Sequence, residues 1–315
     1  WGSIHQEQPT VSNPPSGTQF EIRHGAQRAT VVEVGGGIRE LTVGGRDLLH
    51  PYPLDAICDG AHGTPLIPWP NRLEDGWYSF DGEDFQVALT EPAQHNAIHG
   101  FLRWRSWQAV EHAEDRVVMG IRLQPMASYP FTLDVEVAYS LGPDGLVVST
   151  TATNLGARAL PYGCGQHPYL SPGPGALDDC TLHLDAATRI VTDERQLPIG
   201  TEAVEGTPFD FRQPRQLGNL VIDHAFTDLA RDDRGRAWVR LGGTDGAEAA
   251  MWVDEHHPYL EIYTADTLSG PRRRSALGAE PMTCPPNALR SGQDVIRLEP
   301  GRSITTSWGA VLVTT

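Results

Sequence analysis

Lysine is absent from this chain of 315 residues, so all 24 basic side chains are arginines. Enzymes that form a Schiff base with their substrate, bind pyridoxal phosphate covalently or hold nucleotide phosphates in a P-loop use the amine of a lysine. The composition therefore excludes these three classes of chemistry before any motif is considered.

Cysteine is scarce and scattered. Cys58, Cys164, Cys180 and Cys284 are the four cysteines, and no two of them form a Cys-x-x-Cys motif. This spacing argues against a disulfide framework and against a zinc ribbon. Apolar runs are short too, and none approaches the 18 residues that a transmembrane helix requires, so we expect no membrane span.

Positive charge is also in short supply, because 40 acidic residues against 24 arginines leave a formal net charge of −16. Such a surface repels nucleic acids and anionic lipids, and we expect neither as a partner. The opening, WGSIHQEQPTVSNPPSG, lacks the basic and then apolar pattern of a secretory signal. We therefore expect a cytoplasmic protein in which a flexible polar leader, residues 1–18, precedes one domain, residues 19–315.

Helical periodicity is missing as well, whereas strand-like alternation runs along the whole chain. Apolar and polar residues alternate in TQFEIRHGAQRATVVEV, RVVMGIRLQ, YLEIYTAD and SITTSWGAVLV, with Gly, Pro and Asp between such runs. Residues 142–145, GPDG, are typical of a turn between two long strands. The pattern predicts an all-β fold, a single large antiparallel β-sandwich without an internal linker.

The stretch GCGQHPYL, residues 163–170, places a histidine on a stiff piece of chain. We expect Gly163 and Gly165 to adopt backbone angles closed to other residues. Pro168 favours an extended conformation at His167. The imidazole of His167 therefore either is aimed as a proton donor or marks the end of a strand.

The stretch GAEPMTCPPNALRSGQD places a carboxylate among prolines. Glu280 precedes Pro281, and two further prolines follow at 285 and 286. A regular helix is excluded there, and we expect a stiff loop to hold Glu280. Alone it could be a surface residue, but together with a rigid His167 it is a candidate general base.

Arg72 follows the rigid lead Pro-Trp-Pro-Asn. It either pairs with Glu74 or Asp75 at the surface or presents a fork of donors to sugar hydroxyls or an anion. Asp223, in VIDHAFTDL near a predicted strand end, either caps backbone amides of a turn or belongs to the same site.

His95 and His99 are four residues apart, a spacing that can hold a metal on a helix. Gly100 and the flanking EPAQ favour a loop instead, and the sequence offers no third ligand. We therefore expect no metal at this pair.

Taken together, these stretches resemble the aldose 1-epimerase (galactose mutarotase) family. The resemblance is carried by PNRLEDGWYSFDG, NAIHG, GQHPYL, DHAF, EPMTCPPNA and SGQDVIRLEPGRSITTSWG, in that order, from about residue 20 to the C-terminus. One stretch departs from the galactose-type enzymes, since AEPMTCPPNA stands where they have a Leu-Glu-Thr-Gln-like setting. The departure bears on the sugar that is recognised more than on the mechanism.

The resemblance implies a large antiparallel β-sandwich of the galactose mutarotase type. It also implies that Glu280 is the general base, that His167 is the general acid and that His99 is a second active-site histidine. Arg72 and Asp223 would hold sugar hydroxyls. Interconversion of the α and β anomers of a hexose needs no metal or other cofactor, and the expected partner is a small sugar bound by a monomer or homodimer.

This mechanism needs a protonated histidine and an ionised glutamate at the same pH. We therefore expect a modestly raised pKa for His167 and an ordinary or raised pKa for Glu280. Three tryptophans, Trp69, Trp104 and Trp252, are either core residues or a stacking face for the sugar.

Three alternatives remain open. The arginines of SGPRRRSALG, Arg272, Arg273 and Arg274, either lie in a solvated loop or clamp a phosphate, which would indicate a hexose 6-phosphate mutarotase. A non-catalytic sugar-binding protein can share the fold, although such a protein needs no matched acid and base. A glycoside hydrolase could use Glu280 with Asp223 as paired carboxylates.

Overall fold

The computed structural model describes residues 13–314. Strands dominate, and helical structure within residues 13–314 is limited to one short α-helix, Ala288–Ser291 (α1), and two 3₁₀ turns, Leu177–Asp179 and Gly270–Arg272. None of the helices in the described part of the chain is long and apolar enough to cross a bilayer. The expected all-β class is confirmed.

The predicted leader falls partly outside the described residues, which begin at 13. Within its described end, the carbonyls of Ser16 and Thr18 accept hydrogen bonds from the backbone of Val34 and Glu33 at 2.9 and 3.0 Å. The division of the chain at residue 18 stays a prediction.

The strands have the following bounds in chain order. The first nine are β1 (Gln19–His24), β2 (Gln27–Val32), β3 (Ile38–Val43), β4 (Arg46–Leu49), β5 (Pro65–Leu66), β6 (Arg72–Glu74), β7 (Trp77–Phe80), β8 (Glu83–Gln86) and β9 (Asn96–Ile98). The next nine are β10 (Gln108–His112), β11 (Arg116–Leu123), β12 (Leu133–Gly142), β13 (Gly145–Asn154), β14 (Leu160–Tyr162), β15 (Gly165–Gln166), β16 (Tyr169–Leu170), β17 (Thr181–Leu184) and β18 (Ala186–Thr192). The last nine are β19 (Pro198–Ala203), β20 (Arg215–Gln216), β21 (Asp223–Leu229), β22 (Ala237–Gly242), β23 (Glu248–Val253), β24 (Tyr259–Tyr263), β25 (Leu277–Met282), β26 (Ile296–Leu298) and β27 (Ser303–Val313).

Two large antiparallel sheets form the molecule. The 12-stranded sheet runs β1-β2-β3-β4-β16-β25-β24-β21-β18-β19, with β15 and β5 attached at β25, and the 9-stranded sheet runs β10-β11-β12-β13-β27-β23-β22-β17-β20. One apolar cluster joins Leu260 and Leu277 of the first sheet to Val137 and Trp308 of the second. The sheets therefore pack face to face as the predicted sandwich.

The predicted turn at GPDG lies between two strands of ten residues each. Strands β12 and β13 pair in register from Leu133 opposite Asn154 to Gly142 opposite Gly145. Along β12 buried residues alternate with more exposed ones, so one face meets the core and the other meets solvent.

Strands β24 and β25 lie in the middle of the larger sheet and are buried along their whole length. Leu260, Ile262, Leu277 and Ala279 point into the sandwich core. The alternate residues face the other side of the sheet, because successive side chains of a strand point to opposite faces. That second face carries the candidate site.

Candidate active site

His167 lies in the interruption between β15 and β16. Its backbone N–H donates to the carbonyl of Thr64 at 3.1 Å, and its carbonyl accepts from the N–H of Gly63 at 2.8 Å. Its ring stacks on Tyr169, with centroids 4.8 Å apart, and Tyr169 stacks in turn on His62 at 4.3 Å. The predicted stiff, non-helical setting is confirmed, and both backbone and ring are held.

The glycines beside His167 have a different role from the expected one. Neither Gly163 nor Gly165 has a positive φ. A Cβ on Gly163 would lie 2.5 Å from Sγ of Cys284, and one on Gly165 would lie 2.6 Å from the carbonyl of Pro281. Close packing against the next strand, rather than unusual backbone angles, accounts for both glycines.

Glu280 lies in the middle of β25 and not in the stiff loop that its prolines suggested. Its cross-strand neighbour is Glu261 of β24. The expectation of a loop is wrong because Pro281 is accommodated within the strand. The N–H groups of Ala279 and Thr283 bond to carbonyls on the β15 and β16 side, and Pro281 falls between them, opposite the interruption at His167. A missing N–H costs nothing where no partner carbonyl faces it.

The two predicted catalytic side chains are in direct contact. Nε2 of His167 lies 3.1 Å from Oε1 of Glu280, and both side chains are almost completely buried. Within the described residues, Nδ1 of His167 and Oε2 of Glu280 have no hydrogen-bond partner. Buried polar atoms usually have hydrogen-bond partners, so these two atoms are candidates for hydrogen bonds to a ligand.

His99 follows β9, whose last residue Ile98 pairs with Arg72 of β6. Its backbone N–H donates to the carbonyl of Asn71 at 2.9 Å, and its Nδ1 accepts from the N–H of Asn71 at 3.1 Å. Because Nδ1 is an acceptor, the ring is a neutral tautomer with its proton on Nε2. Burial, with the nearby His167, holds the pKa of His99 well below its usual value, in agreement with that tautomer.

Arg72 has neither of the surface partners considered for it. Its guanidinium binds Glu91 in a bidentate pair at 2.9 and 3.1 Å, and Nη2 lies 3.9 Å from Oδ2 of Asp223. Asp223 begins β21, as the sequence predicts, and pairs across the sheet with Tyr263. Arg72 and Asp223 therefore meet on one side of the catalytic pair.

These side chains surround a cavity of about 310 Å³. His99, His167 and Glu280 line it together with Arg72 and Asp223. The sequence predicts all five, and the fold brings all five to one place. The volume is at the lower end of the range for small-molecule sites.

One of the three tryptophans also lines the cavity. Trp104 is 57% exposed at its edge, whereas Trp69 and Trp252 are 2% and 6% exposed and belong to the interior. The guanidinium of Arg103 lies 3.9 Å from the centroid of the Trp104 ring. Trp104 is therefore the one of the three that can offer a face to a sugar.

Burial sets the protonation of the catalytic pair. It lowers the pKa of His167 to about 3, with smaller contributions from His62 and Arg103. Burial, reinforced by the charge of Asp223, holds the pKa of Glu280 well above its usual value. The expected raised pKa of His167 is thus wrong, whereas the raised pKa of Glu280 was foreseen. Both shifts favour the neutral forms of the two groups, with the proton of the pair on the carboxyl.

The same cluster has the composition of a metal site. One ligand atom each from His99, His167 and Glu280 lies within 4.8 Å of the others. Two imidazoles and a carboxylate are a common zinc ligand set. The His-x₃-His spacing has no part in it, because His95 is exposed and pairs with Asp75 at 2.8 Å.

The arginine run does not line the cavity. Arg274 binds Asp178 and Asp266, Arg272 pairs with Asp59, and Arg273 is exposed. Neighbouring carboxylates pair with these arginines, so of the two alternatives the structure favours the loop over the phosphate clamp.

Four site residues escaped the sequence reasoning: Asn71, Glu91, Arg103 and Glu261. Glu261 is 3% exposed and accepts a hydrogen bond from Nδ2 of Asn71 at 3.3 Å. In the sequence, Glu261 is the single acidic residue of YLEIY, a pattern that indicates one solvent-facing position in a strand. Only the burial of both faces of β24 marks that glutamate as part of a site.

Comparison with known proteins identifies relatives of the chain. A model of the aldose 1-epimerase family matches residues 18–308. The Escherichia coli (strain K12) protein YihR, whose name describes it as uncharacterized, is 34% identical over 288 residues, 91% of each chain. Human galactose mutarotase is 28% identical over 216 residues, 64% of this chain and 61% of that protein. The crystal structure of an aldose epimerase homologue from C. elegans superposes with a TM-score of 0.84 at 18% identity, covering 95% of this chain and 99% of that one.

Proposed function

The chain belongs to the aldose 1-epimerase family, and we propose that it is a mutarotase that interconverts the α and β anomers of an aldose. The observation that carries the proposal is the 3.1 Å contact between His167 and Glu280 at the cavity. A buried acid and base that share one proton match a reaction that removes one proton and delivers another.

Ring opening breaks the bond between C1 and the ring oxygen. Glu280 takes the proton of the C1 hydroxyl as the C1 carbonyl forms, and His167 delivers a proton to the ring oxygen as it leaves. Rotation about the C1–C2 bond presents the other face of the aldehyde. Closure returns each proton by the reverse transfers, so the enzyme ends as it began. Each positioned proton-transfer group typically contributes about 10²–10⁴ in rate.

In this proposal one proton moves from Glu280 to His167 when the sugar binds. In the empty site burial favours the neutral pair, with the proton on Glu280. Sugar hydroxyls that donate to the carboxylate and the departure of the ring oxygen toward the imidazole favour transfer of that proton to His167. The 3.1 Å contact is short enough for the transfer.

The remaining residues hold and orient the sugar in this proposal. Nε2–H of His99 is a fixed donor, because Nδ1 is occupied by the N–H of Asn71. Asp223 accepts from ring hydroxyls, and Arg72, already fixed by Glu91, donates to them. Trp104 offers a stacking face at the edge of the cavity.

A second candidate substrate class is a hexose with an anionic group, such as a hexose 6-phosphate. Arg103 favours it, because this half-buried guanidinium lines the cavity and forms no ion pair with any residue between 13 and 314. Burial lowers the pKa of Arg103 without removing its charge. An unpaired cation in so acidic a protein suits an anion at the far end of the sugar.

The test is polarimetry of freshly dissolved α-glucose, α-galactose and α-glucose 6-phosphate. We expect at least one sugar to approach equilibrium far faster than spontaneously, and Glu280→Gln to lower that rate about 10²–10⁴-fold. Glu114→Gln is the matched control, since Glu114 is exposed and pairs with Arg23 far from the cavity. Dialysis against a chelator should leave the rate unchanged, because no step needs a metal.

Each other outcome identifies an alternative. Loss of activity on chelation would assign a metal to His99, His167 and Glu280. Release of sugar from an aryl glycoside would indicate a hydrolase. Sugar binding measured by calorimetry, with no acceleration for any of the three sugars, would indicate a binding protein and contradict the mutarotase proposal.

A further inference from the structure

Glu261 is a buried carboxyl group that the proposed mechanism does not use. It lies directly opposite Glu280 in the antiparallel register of β24 and β25. Side chains of such opposite residues lie on the same face of the sheet, about 4.5–5.5 Å apart at Cβ. Asp223 of β21 is a diagonal neighbour on that face, because its own partner is Tyr263, two residues from Glu261. Three carboxyl groups therefore share one buried surface.

The cations nearby are too few to balance three carboxylates. Arg72 is already bound by both carboxylate oxygens of Glu91, and only one of its nitrogens approaches Asp223, at 3.9 Å. A proton on Glu280 still leaves Glu261 and Asp223 as like charges on one face, and within residues 13–314 only Asp223 of these two has a cation within 4 Å, so we expect a second proton on this pair. Burial, together with Asp223 and Glu280, holds the pKa of Glu261 well above its usual value.

Glu261 is also joined to the sugar-binding residues through Asn71. Oε2 of Glu261 accepts from Nδ2 of Asn71 at 3.3 Å. The same asparagine donates its N–H to Nδ1 of His99 at 3.1 Å and accepts the N–H of Arg72 on Oδ1 at 2.8 Å. Its backbone is left-handed, with φ of 55°, so its side chain and its backbone must both be held.

On these observations we propose that Glu261 is a protonated positioning residue: one oxygen fixes Asn71, and the carboxyl proton is donated to Asp223. The arrangement keeps Asp223 anionic as a hydroxyl acceptor and avoids a negative charge directly opposite Glu280, which is ionised when it accepts the proton of the sugar hydroxyl. It orients His99 and Arg72 through Asn71 without touching the reacting atoms. The assignment of Asp223 as a sugar-binding residue rests on the proposed function, whereas the protonation of Glu261 does not.

The first test reads the proton directly in the substrate-free protein. We expect the infrared carbonyl band of protonated carboxylic acids at neutral pH to lose intensity in Glu261→Gln. Glu91→Gln is the matched control, because both carboxylate oxygens of Glu91 accept hydrogen bonds from Arg72, and this variant should leave that band intact. An unchanged band in Glu261→Gln would overturn the proposal, whether or not the protein is a mutarotase.

The second test uses the rate of mutarotation. Glutamine can still donate to Asp223 and accept from Asn71, so Glu261→Gln should keep kcat/KM within about threefold and leave its pH profile in place. Glu261→Met has a similar size but neither function, and displaced sugar-binding groups should cost it about 100-fold, mainly in KM. If Glu261 were ionised, glutamine would remove a negative charge beside Glu280 and move the profile to lower pH. That shift would contradict the proposal.

Discussion

The molecule contains two buried histidine–carboxylate pairs with opposite electrostatics. His167 contacts Glu280 at 3.1 Å in the cavity, and His257 Nδ1 lies 2.8 Å from Oδ1 of Asp254. The pKa of His167 is lowered to about 3 by burial. Burial alone would also lower the pKa of His257, but the interactions with Asp254 and Cys164 together outweigh it and the pKa is raised.

The difference comes from the partners of each carboxylate. Asp254 also accepts hydrogen bonds from the backbone N–H groups of His256 and Ser307, at 3.2 and 2.6 Å. Burial alone would raise the pKa of Asp254, but its hydrogen bonds and the charge of His257 lower it, so His257 faces a firmly ionised partner. Oε2 of Glu280 has no such donor among residues 13–314. The carboxylate of Asp254 is thus fully bonded, whereas Oε2 of Glu280 is left able to accept a hydrogen bond from a ligand.

The largest effect should come from breaking the incomplete pair. His167→Asn removes the proposed proton donor, and we expect the rate of mutarotation to fall about 10²–10⁴-fold. The melting temperature should change little, because the substitution removes the unpartnered Nδ1 of His167 but also removes the ring that stacks on Tyr169. Polarimetry and calorimetry on the same preparation measure both quantities.

His24→Asn is the matched control for that experiment, because His24 lies in β1 far from the cavity. It should change neither the rate nor the melting temperature. If His167→Asn kept most of the activity, or lost it only by unfolding, the pair at the cavity would be structural like its counterpart at His257.

A smaller effect, on stability instead of rate, should follow from breaking the complete pair. Asp254→Asn places an amide among three donors that need an acceptor, from His256, His257 and Ser307. We expect the free energy of unfolding to fall by about 1–3 kcal/mol. Urea denaturation measures the loss, and the folded variant should keep kcat/KM. A large fall in kcat/KM at full folding would mean that the two pairs are coupled.

The sequence predicts the positions of the site residues better than their environments. Short motifs single out His167, Arg72, His99 and Asp223, and the family resemblance that these motifs carry is what assigns them to one site. Glu280 is found by its prolines, but the same prolines predict a loop. Pro281 fits into β25 because the neighbouring segment around His167 interrupts the pairing of β15 and β16 with that strand. No local sequence pattern indicates this interruption.

Burial and charge balance could not be predicted. YLEIY reads as a half-exposed strand, and only the packing of both of its faces makes Glu261 a buried acid. The lowered pKa of His167 has the same origin, since its cause is desolvation by residues distant in sequence. Alternation along one strand describes which residues share a face, but it does not say whether that face meets water.

The smallest effect is the dependence of stability on pH that the complete pair should produce. The pKa of His257 is raised in the folded state, so the folded protein binds this proton more tightly than the unfolded chain does. The stabilisation is fully present below the unfolded value of about 6.5 and is lost as the pH rises through the folded pKa. One proton limits the slope to about 1.4 kcal/mol per pH unit. Urea denaturation of the parent protein and of His257→Gln between pH 6 and 9 should give curves that converge as the pH rises. Parallel curves would mean that His257 gains no proton on folding, and the contrast between the two pairs would then rest on His167 alone.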